Sequence, residues 1–415
     1  MRSVLPSRVD GAVRAPPSKS LTQRAVAAAL LADGVSEIVR ASDCDDSRAA
    51  IGMAEALGAT VRSDGACLSV TGGLSPNTDR LDAGESGLAL RMFAAIAALC
   101  DRAITLSGTG SLMARPVGMV EQPLAALGAE VRTEGGFPPI TVRGPLLGGP
   151  ARVDGSLSSQ FLTGLLLALP LARNDSTLSV DGLRSLPYVH MTLDVLRVFG
   201  VHARHDPARG VFDVPGRQEY RPARFDVEGD WSGAANLLVA GALAGEVSVD
   251  GLDAESRQAD RAILDALRAA GVDVAIADRR VTAARADLRA FAFDASDCPD
   301  LFPPLAALAV HCRGRSVISG ASRLIHKESN RAAVLVLEFS RLGANIDLVD
   351  DRIEVEGGAF PGGRADAQGD HRIAMALSTA ALASRKGVEI NGSECVTKSY
   401  PAFFDDLSAL GAGVQ

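Results

Sequence analysis

The chain has 415 residues and a formal net charge of −8; 47% of it is apolar, 22% charged and only 4% aromatic. That is enough chain for two or three domains with sizeable cores, built mainly from Ala, Val and Leu. The acidic balance argues against nucleic acid or an anionic membrane as a general partner.

From the N-terminus onward, MRSVLPSRVDGAV lacks the apolar core of a signal peptide, and runs such as Leu162 to Ala172 are too short and interrupted to span a bilayer. A cytoplasmic protein is expected. Cysteines at 44, 67, 100, 298, 312 and 395 form no CxxC pair, so they read as reduced, mostly buried thiols. His202 and His205 have no third ligand near them, so no metal is expected.

A helix-like segment ending in an apolar-Gly-apolar triplet recurs, centred on Gly58, Gly128, Gly200, Gly271, Gly343 and Gly411, at intervals of 68 to 72 residues. Glycine after an amphipathic run is the usual helix stop. The first five triplets lead into an alternating strand, a polar turn and a second strand, as in ATVRSDGACLSV and ANIDLVDDRIEV. A second apolar helix lies upstream, for example Thr22 to Ala32 or Ala234 to Ala244. The chain thus reads as an α/β protein of six units, each about 70 residues of strands and two helices.

Charge clusters fall between these elements. In PPSKSLTQR, Ser18 or Ser20 can cap a helix whose start, with Lys19 and Arg24, favours an anion. Arg115 stands in MARPVGM; Ser158, Ser159 and Gln160 open an apolar helix as caps or as phosphate donors. Asp300, in DCPDLFPPLAALAV, is a carboxylate at the mouth of an apolar run, a helix cap or a base. In HKESNR, Lys327 and Arg331 are four apart and expected to share a helix face, with Glu328 between them able to act as a tuned acid or base. In GDHRIAMA, His371 and Arg372 put positive charge at a helix start, which the helix dipole disfavours unless an anion answers it. Lys398 follows in VTKSYPAFF. Of 42 basic residues only Lys19, Lys327, Lys386 and Lys398 are lysine, so each is a candidate for proton transfer, which arginine cannot perform. No P-loop, GxGxxG after a strand, GxSxG elbow or HExxH is present. What remains is a distributed cationic site suited to small polyanions and to chemistry without a cofactor.

PPSKSLTQR, GESGLALR, MARPVG, SSQFLTGLL, SLPYVHMTL, DCPDLFPPLAALA, HKESNR, DHRIAMA and KSYPAFF together resemble the 5-enolpyruvylshikimate-3-phosphate synthase family, from about Val9 to Phe404. The resemblance implies two similar domains of three βαβαββ units each, of the inverse α/β barrel type, with crossings near Ser18 and Glu228-Gly229-Asp230. One domain would combine residues 1–17 and 229–415, the other 18–228, with the active site in the cleft. It implies a transferase that moves the carboxyvinyl group of phosphoenolpyruvate to the 5-hydroxyl of shikimate 3-phosphate, as a monomer, with no cofactor. On that resemblance Lys19, Ser20, Arg24, Ser158, Ser159, Gln160, Ser185, Tyr188, Asp300, Arg323 and Lys327 line the phosphoshikimate site. Lys19, Gly87, Arg115, Arg331, Arg372 and Lys398 line the phosphoenolpyruvate site with Gln160. Asp300 is the base for the 5-hydroxyl, and Glu328 and Lys19 move protons at the methylene carbon. The chain departs from many members at Glu85 and Leu88, where Asn and Thr are common, and at Arg323, where Asn is common. A carboxylate at Glu85 adds repulsion near phosphoenolpyruvate unless Arg115 or Lys19 pairs with it, and it predicts weak binding of glyphosate. The nearest alternatives are an enolpyruvyl transferase acting on a UDP-sugar or another phosphorylated alcohol such as a nucleotide; a more distant one is a non-catalytic scaffold. The cysteine that the UDP-sugar enzymes carry before their Arg-Pro is absent from Ser107 to Arg115.

Overall fold

The computed structural model describes residues 1–65 and 67–415; Ala66, beside the turn expected at Asp64-Gly65, lies outside them. The chain divides into two compact units, 17–227 and 1–16 with 228–415.

In the unit 17–227, helices alternate in character along the chain. α1 (Lys19–Leu31), α3 (Gly87–Ala97) and α5 (Gln160–Ala168) are buried nearly all round. Their sequences, such as RAVAAALL and LTGLLLA, are apolar on every face, and such a helix is stable only inside a core. α2 (Asp45–Ala56), α4 (Glu121–Ala126) and α6 (Leu186–Val198) bury one side only. α3 packs on α5, and α1 on α2 and α6. The α3–α5 approach depends on Gly164, where a Cβ would stand 2.5 Å from the Met92 carbonyl oxygen.

Three four-stranded sheets cover these helices, each with one parallel pair and an antiparallel hairpin. In the first, Val35–Val39 lies parallel to Arg224–Asp226 and antiparallel to Cys67–Thr71, which pairs with Thr60–Asp64. Ile38 faces Leu68 in that register, and both are buried. The strand Arg224–Asp226 thus returns the end of this unit to its first repeat.

The unit 1–16 with 228–415 repeats the pattern. α7 (Trp231–Ala244), α9 (Phe302–Ala309) and α11 (His371–Ala381) are buried all round and pack on one another; α8 (Ile263–Ala269), α10 (Arg331–Arg341) and α12 (Phe403–Ala409) are one-sided. The N-terminal strand Val9–Arg14 completes a sheet beside Gly245–Asp250, and Arg2–Val4 pairs with Val388–Asn391. Among the described residues the sheets remain separate, and none closes into a barrel. All six triplet glycines have positive φ, from 79° to 116°, two residues past the ends of the one-sided helices.

One expectation about helix starts needs correction. Lys327 and Arg331 do not share a helix face, because α10 begins at Arg331, capped by Asn330, and Lys327 lies in the turn before it. His371 and Arg372 do stand at a helix start, as its first two residues behind the cap Asp370.

Candidate active site

The unit 17–227 holds two linked groups of candidate residues. At the start of α1, Ser18 is the cap, its Oγ 3.4 Å from the Leu21 amide, while Ser20 lies inside the first turn. Lys19 donates to Asp46 Oδ2 at 2.8 Å, and both side chains are largely buried. One turn further, Arg24 is 2% exposed. Its guanidinium donates to the carbonyls of Ser20 and Tyr188 and to the hydroxyls of Thr192 and Thr163, all neutral oxygens. Burial without a carboxylate lowers its pKa to about 10. A desolvated cation of this kind favours any anion that reaches it.

Thr163 lies three residues after Gln160 on α5, so the two share a helix face. Gln160 Oε1 accepts from Arg91 Nη1 at 2.7 Å, and Arg91 also donates to the Pro116 carbonyl at 2.9 Å, next to Arg115. A Cβ placed on Gly87 would meet Arg91 Nη1 at 2.9 Å, Arg115 Nη1 at 3.2 Å and Gln160 Oε1 at 3.5 Å. Gly87, Arg91, Arg115 and Gln160 therefore form one cluster. Ser158 Oγ accepts from the Gln160 amide at 3.1 Å, whereas Ser159 makes no side-chain cap. Ser185 opens α6 with φ 56°, a left-handed conformation unusual outside glycine.

In the other unit the charges form a knot. Buried Arg331 donates to Asp370 Oδ2 at 2.8 Å, Asp300 Oδ1 at 2.9 Å and Glu328 Oε2 at 2.5 Å. Asp300 also accepts from Lys327 at 3.3 Å and Arg372 at 2.9 Å. The anion that answers Arg372 at its helix start is thus Asp300, with Asp370 capping its amide. Burial pushes the Asp300 carboxyl up, but Arg372, Lys327 and Arg331 together hold it well below the usual range. Burial lowers the Lys327 pKa against the pull of Asp300. Asp260 is fully buried behind this knot, hydrogen-bonded by Ser232; burial and the nearby Asp300 raise its pKa to about 6. Arg323, in the turn Ala321–Leu324, lies within electrostatic reach of Lys327. Lys398 is buried in the turn Ser393–Lys398, which packs on α11.

Sequence reasoning missed Asp46, Arg91, Asp260 and Asp370. Asp370 and Arg91 lie within motifs already noted, and two acidic residues at a helix start pointed to Asp46. Asp260 carried no signal. Among the described residues no group of three or more His, Cys, Asp or Glu is placed to hold a metal, and no helix is long and apolar enough to cross a membrane. His205 instead stacks on Phe212 and lies 3.4 Å from a nitrogen of His190.

The family model described as EPSP synthase (3-phosphoshikimate 1-carboxyvinyltransferase) matches residues 5–407. A protein of that name from Methanothrix thermoacetophila is 41% identical, covering 100% of this chain and 99% of the relative. Another from Clostridium kluyveri is 36% identical, covering 100% and 98%. The solved EPSP synthase of Acinetobacter baumannii superposes with a TM-score of 0.85 at 23% identity, over 100% of this chain and 99% of that one, a likeness of fold.

Proposed function

The chain belongs to the EPSP synthase (3-phosphoshikimate 1-carboxyvinyltransferase) family, and from that premise we propose that it transfers the carboxyvinyl group of phosphoenolpyruvate to the 5-hydroxyl of shikimate 3-phosphate. The observation that carries the geometry of this reading is the knot in which Lys327, Arg331 and Arg372 converge on Asp300. Both substrates carry a phosphate and a carboxylate. Gathering them brings like charges together, which at about 4 Å costs on the order of 4 kcal/mol per pair at an effective dielectric near 20. Fixed arginines offset that cost and match carboxylate geometry through their forked donors.

Ser20, Arg24, Ser158, Ser159, Ser185 and Tyr188 hold shikimate 3-phosphate, with Arg323 and Lys327. Lys19, Gly87, Arg115, Gln160, Arg331, Arg372 and Lys398 hold phosphoenolpyruvate. Asp300 takes the proton from the 5-hydroxyl as its oxygen bonds to C2 of phosphoenolpyruvate. Glu328 or Lys19 delivers a proton to C3, giving a tetrahedral phosphoketal. Loss of a proton from C3 and departure of phosphate from C2 then restore the double bond. In this reading the protein acts as a cytoplasmic monomer without metal or organic cofactor.

The test is phosphate release from phosphoenolpyruvate with each of three acceptors. Release is expected with shikimate 3-phosphate and not with UDP-N-acetylglucosamine or UMP. Release only with one of the latter two would overturn the assignment.

A further inference from the structure

We propose that Glu85 sets the anion selectivity of Arg115, acting through Ser111 to keep that guanidinium partly neutralised until a strongly anionic ligand displaces the serine. This rests on the reading that Arg115 receives phosphoenolpyruvate. Glu85 Oε2 accepts from Ser111 Oγ at 3.2 Å, and Ser111 Oγ accepts from Arg115 Nη2 at 3.1 Å. A serine hydroxyl has one proton; donated to the carboxylate, it leaves its lone pairs toward the guanidinium. The hydroxyl thereby links the two charges.

The carboxylate is held in place. Gly110 has φ 55°, and a Cβ there would stand 2.1 Å from Glu85 Oε1, so the carboxylate packs against bare backbone. The other edge of Arg115 faces a second cation, since Arg115 Nη1 and Arg91 Nη1 both converge on the space beside Gly87. Arg91 donates to the Gln160, Pro116 and Gly87 oxygens. Two guanidinium groups so close repel each other, and Glu85 is the carboxylate linked to them in this network. Removing its charge makes the pocket more positive by one unit, so that it grips any anion more tightly, including weakly charged ones and the phosphate product. With the charge present, a ligand must out-compete Glu85 for Arg115, which a phosphate bearing an adjacent carboxylate does and a simple monocarboxylate does not. The residue acts through Ser111 and positions Arg115; it takes no part in bond making.

Steady-state kinetics on the full chain test this. Glu85→Gln should lower KM for phosphoenolpyruvate about tenfold and tighten inhibition by inorganic phosphate to a similar degree. KM for shikimate 3-phosphate should stay within about twofold, since no contact in the relay serves that substrate. Glu85→Asp, which keeps the charge, should restore the phosphoenolpyruvate KM toward that of the parent. Ser111→Ala cuts the relay without changing charge, and should lower the same KM about threefold even if the Glu85 variants fold poorly. An unchanged or higher KM in a folded Glu85→Gln or Ser111→Ala protein would overturn the proposal. Arg115→Ala separates the two readings. If it leaves the phosphoenolpyruvate KM unchanged, the assignment of Arg115 itself fails; if it raises that KM while Glu85→Gln does not lower it, only the role of Glu85 is lost.

Discussion

Asp300 presents a conflict that its surroundings resolve. A general base works best when its pKa lies near the working pH. In the knot, however, Arg372, Lys327 and Arg331 hold its carboxyl well below the ordinary range. Those three cations are the groups assigned to bind substrate anions. When phosphates and carboxylates engage them, their field at Asp300 weakens and its affinity for a proton rises. The sign follows directly. In the free enzyme the carboxylate stays ionised to a low pH; in the loaded enzyme it begins to protonate at a higher one. The acidic limb of kcat, which reports the loaded enzyme, is therefore expected at higher pH than the acidic limb of kcat/KM, which reports the free enzyme. Coincident limbs, or the reverse order, would show that the cations stay on Asp300 throughout. Sequence alone singled out Asp300 at the mouth of an apolar run, Arg372 at a helix start, Lys327 as one of four lysines, and Arg331 and Glu328 by their spacing from it. It could not show that they are one another's partners. Asp300 and Arg372 are 72 positions apart, and neither local pattern contains the other. Arg91, in GESGLALR, and Asp46, one of two acidic residues at the start of α2, had legible surroundings, but what each charge meets is decided by tertiary packing: Asp46 accepts from Lys19 and Arg91 donates to Gln160.

The helix-ending glycines were the plainest signal in the sequence, and the structure explains why they recur. Each follows a one-sided helix by two residues and takes a left-handed conformation that a Cβ disfavours. The six positions differ in their surroundings, and that difference is testable. At Gly271, φ is 91° and the nearest atom to an added Cβ is 3.6 Å away, so Gly271→Ala carries only backbone strain. A loss of about 1 kcal/mol is expected. At Gly58, φ is 116° and a Cβ would lie 2.6 to 2.8 Å from backbone atoms of Ser75 and Gly73. The following loop must move, so Gly58→Ala should cost roughly 3 kcal/mol or more. Urea denaturation of the two variants compares them; equal losses would mean that the loop after Gly58 yields freely. Helix starts were less legible. The spacing of Lys327 and Arg331 suits a helix face, but Asn330 caps α10 at Arg331, its side chain accepting from the Ala333 amide at 3.4 Å. A cap three residues inside a charged run outranks the spacing of the run.

At the scale of the molecule, periodicity revealed six units of two helices and several strands but not how the first and last units of a series meet. The strand Arg224–Asp226 pairs with Val35–Val39, and Arg224 reaches Glu37 across 187 positions. A three-residue strand carries too little alternation to announce a partner so distant. Such packing also buries titratable groups that the proposed reaction does not use, and these shape stability against pH. His311, after α9, lies edge-on to Phe360 with its Nε2 3.0 Å from the Ala380 carbonyl of α11, and burial lowers its pKa to about 4. The unfolded chain binds this proton below about pH 6.5 and the folded one only near pH 4. The stability due to neutral His311 is therefore full above pH 6.5 and lost as pH falls toward 4, by on the order of 3 kcal/mol. Asp260 works in the opposite sense. With its pKa raised from 3.8 to about 6, its contribution is full below 3.8 and lost as pH rises through 6. The measured profile is the sum of such terms, so the contrast with a variant isolates one of them. His311→Gln keeps a donor for the Ala380 carbonyl but cannot take up a proton. Its urea midpoint should fall less than that of the parent between pH 6.5 and 4.5, whatever its stability at pH 7; parallel profiles would mean that His311 reaches water and titrates normally in the folded state.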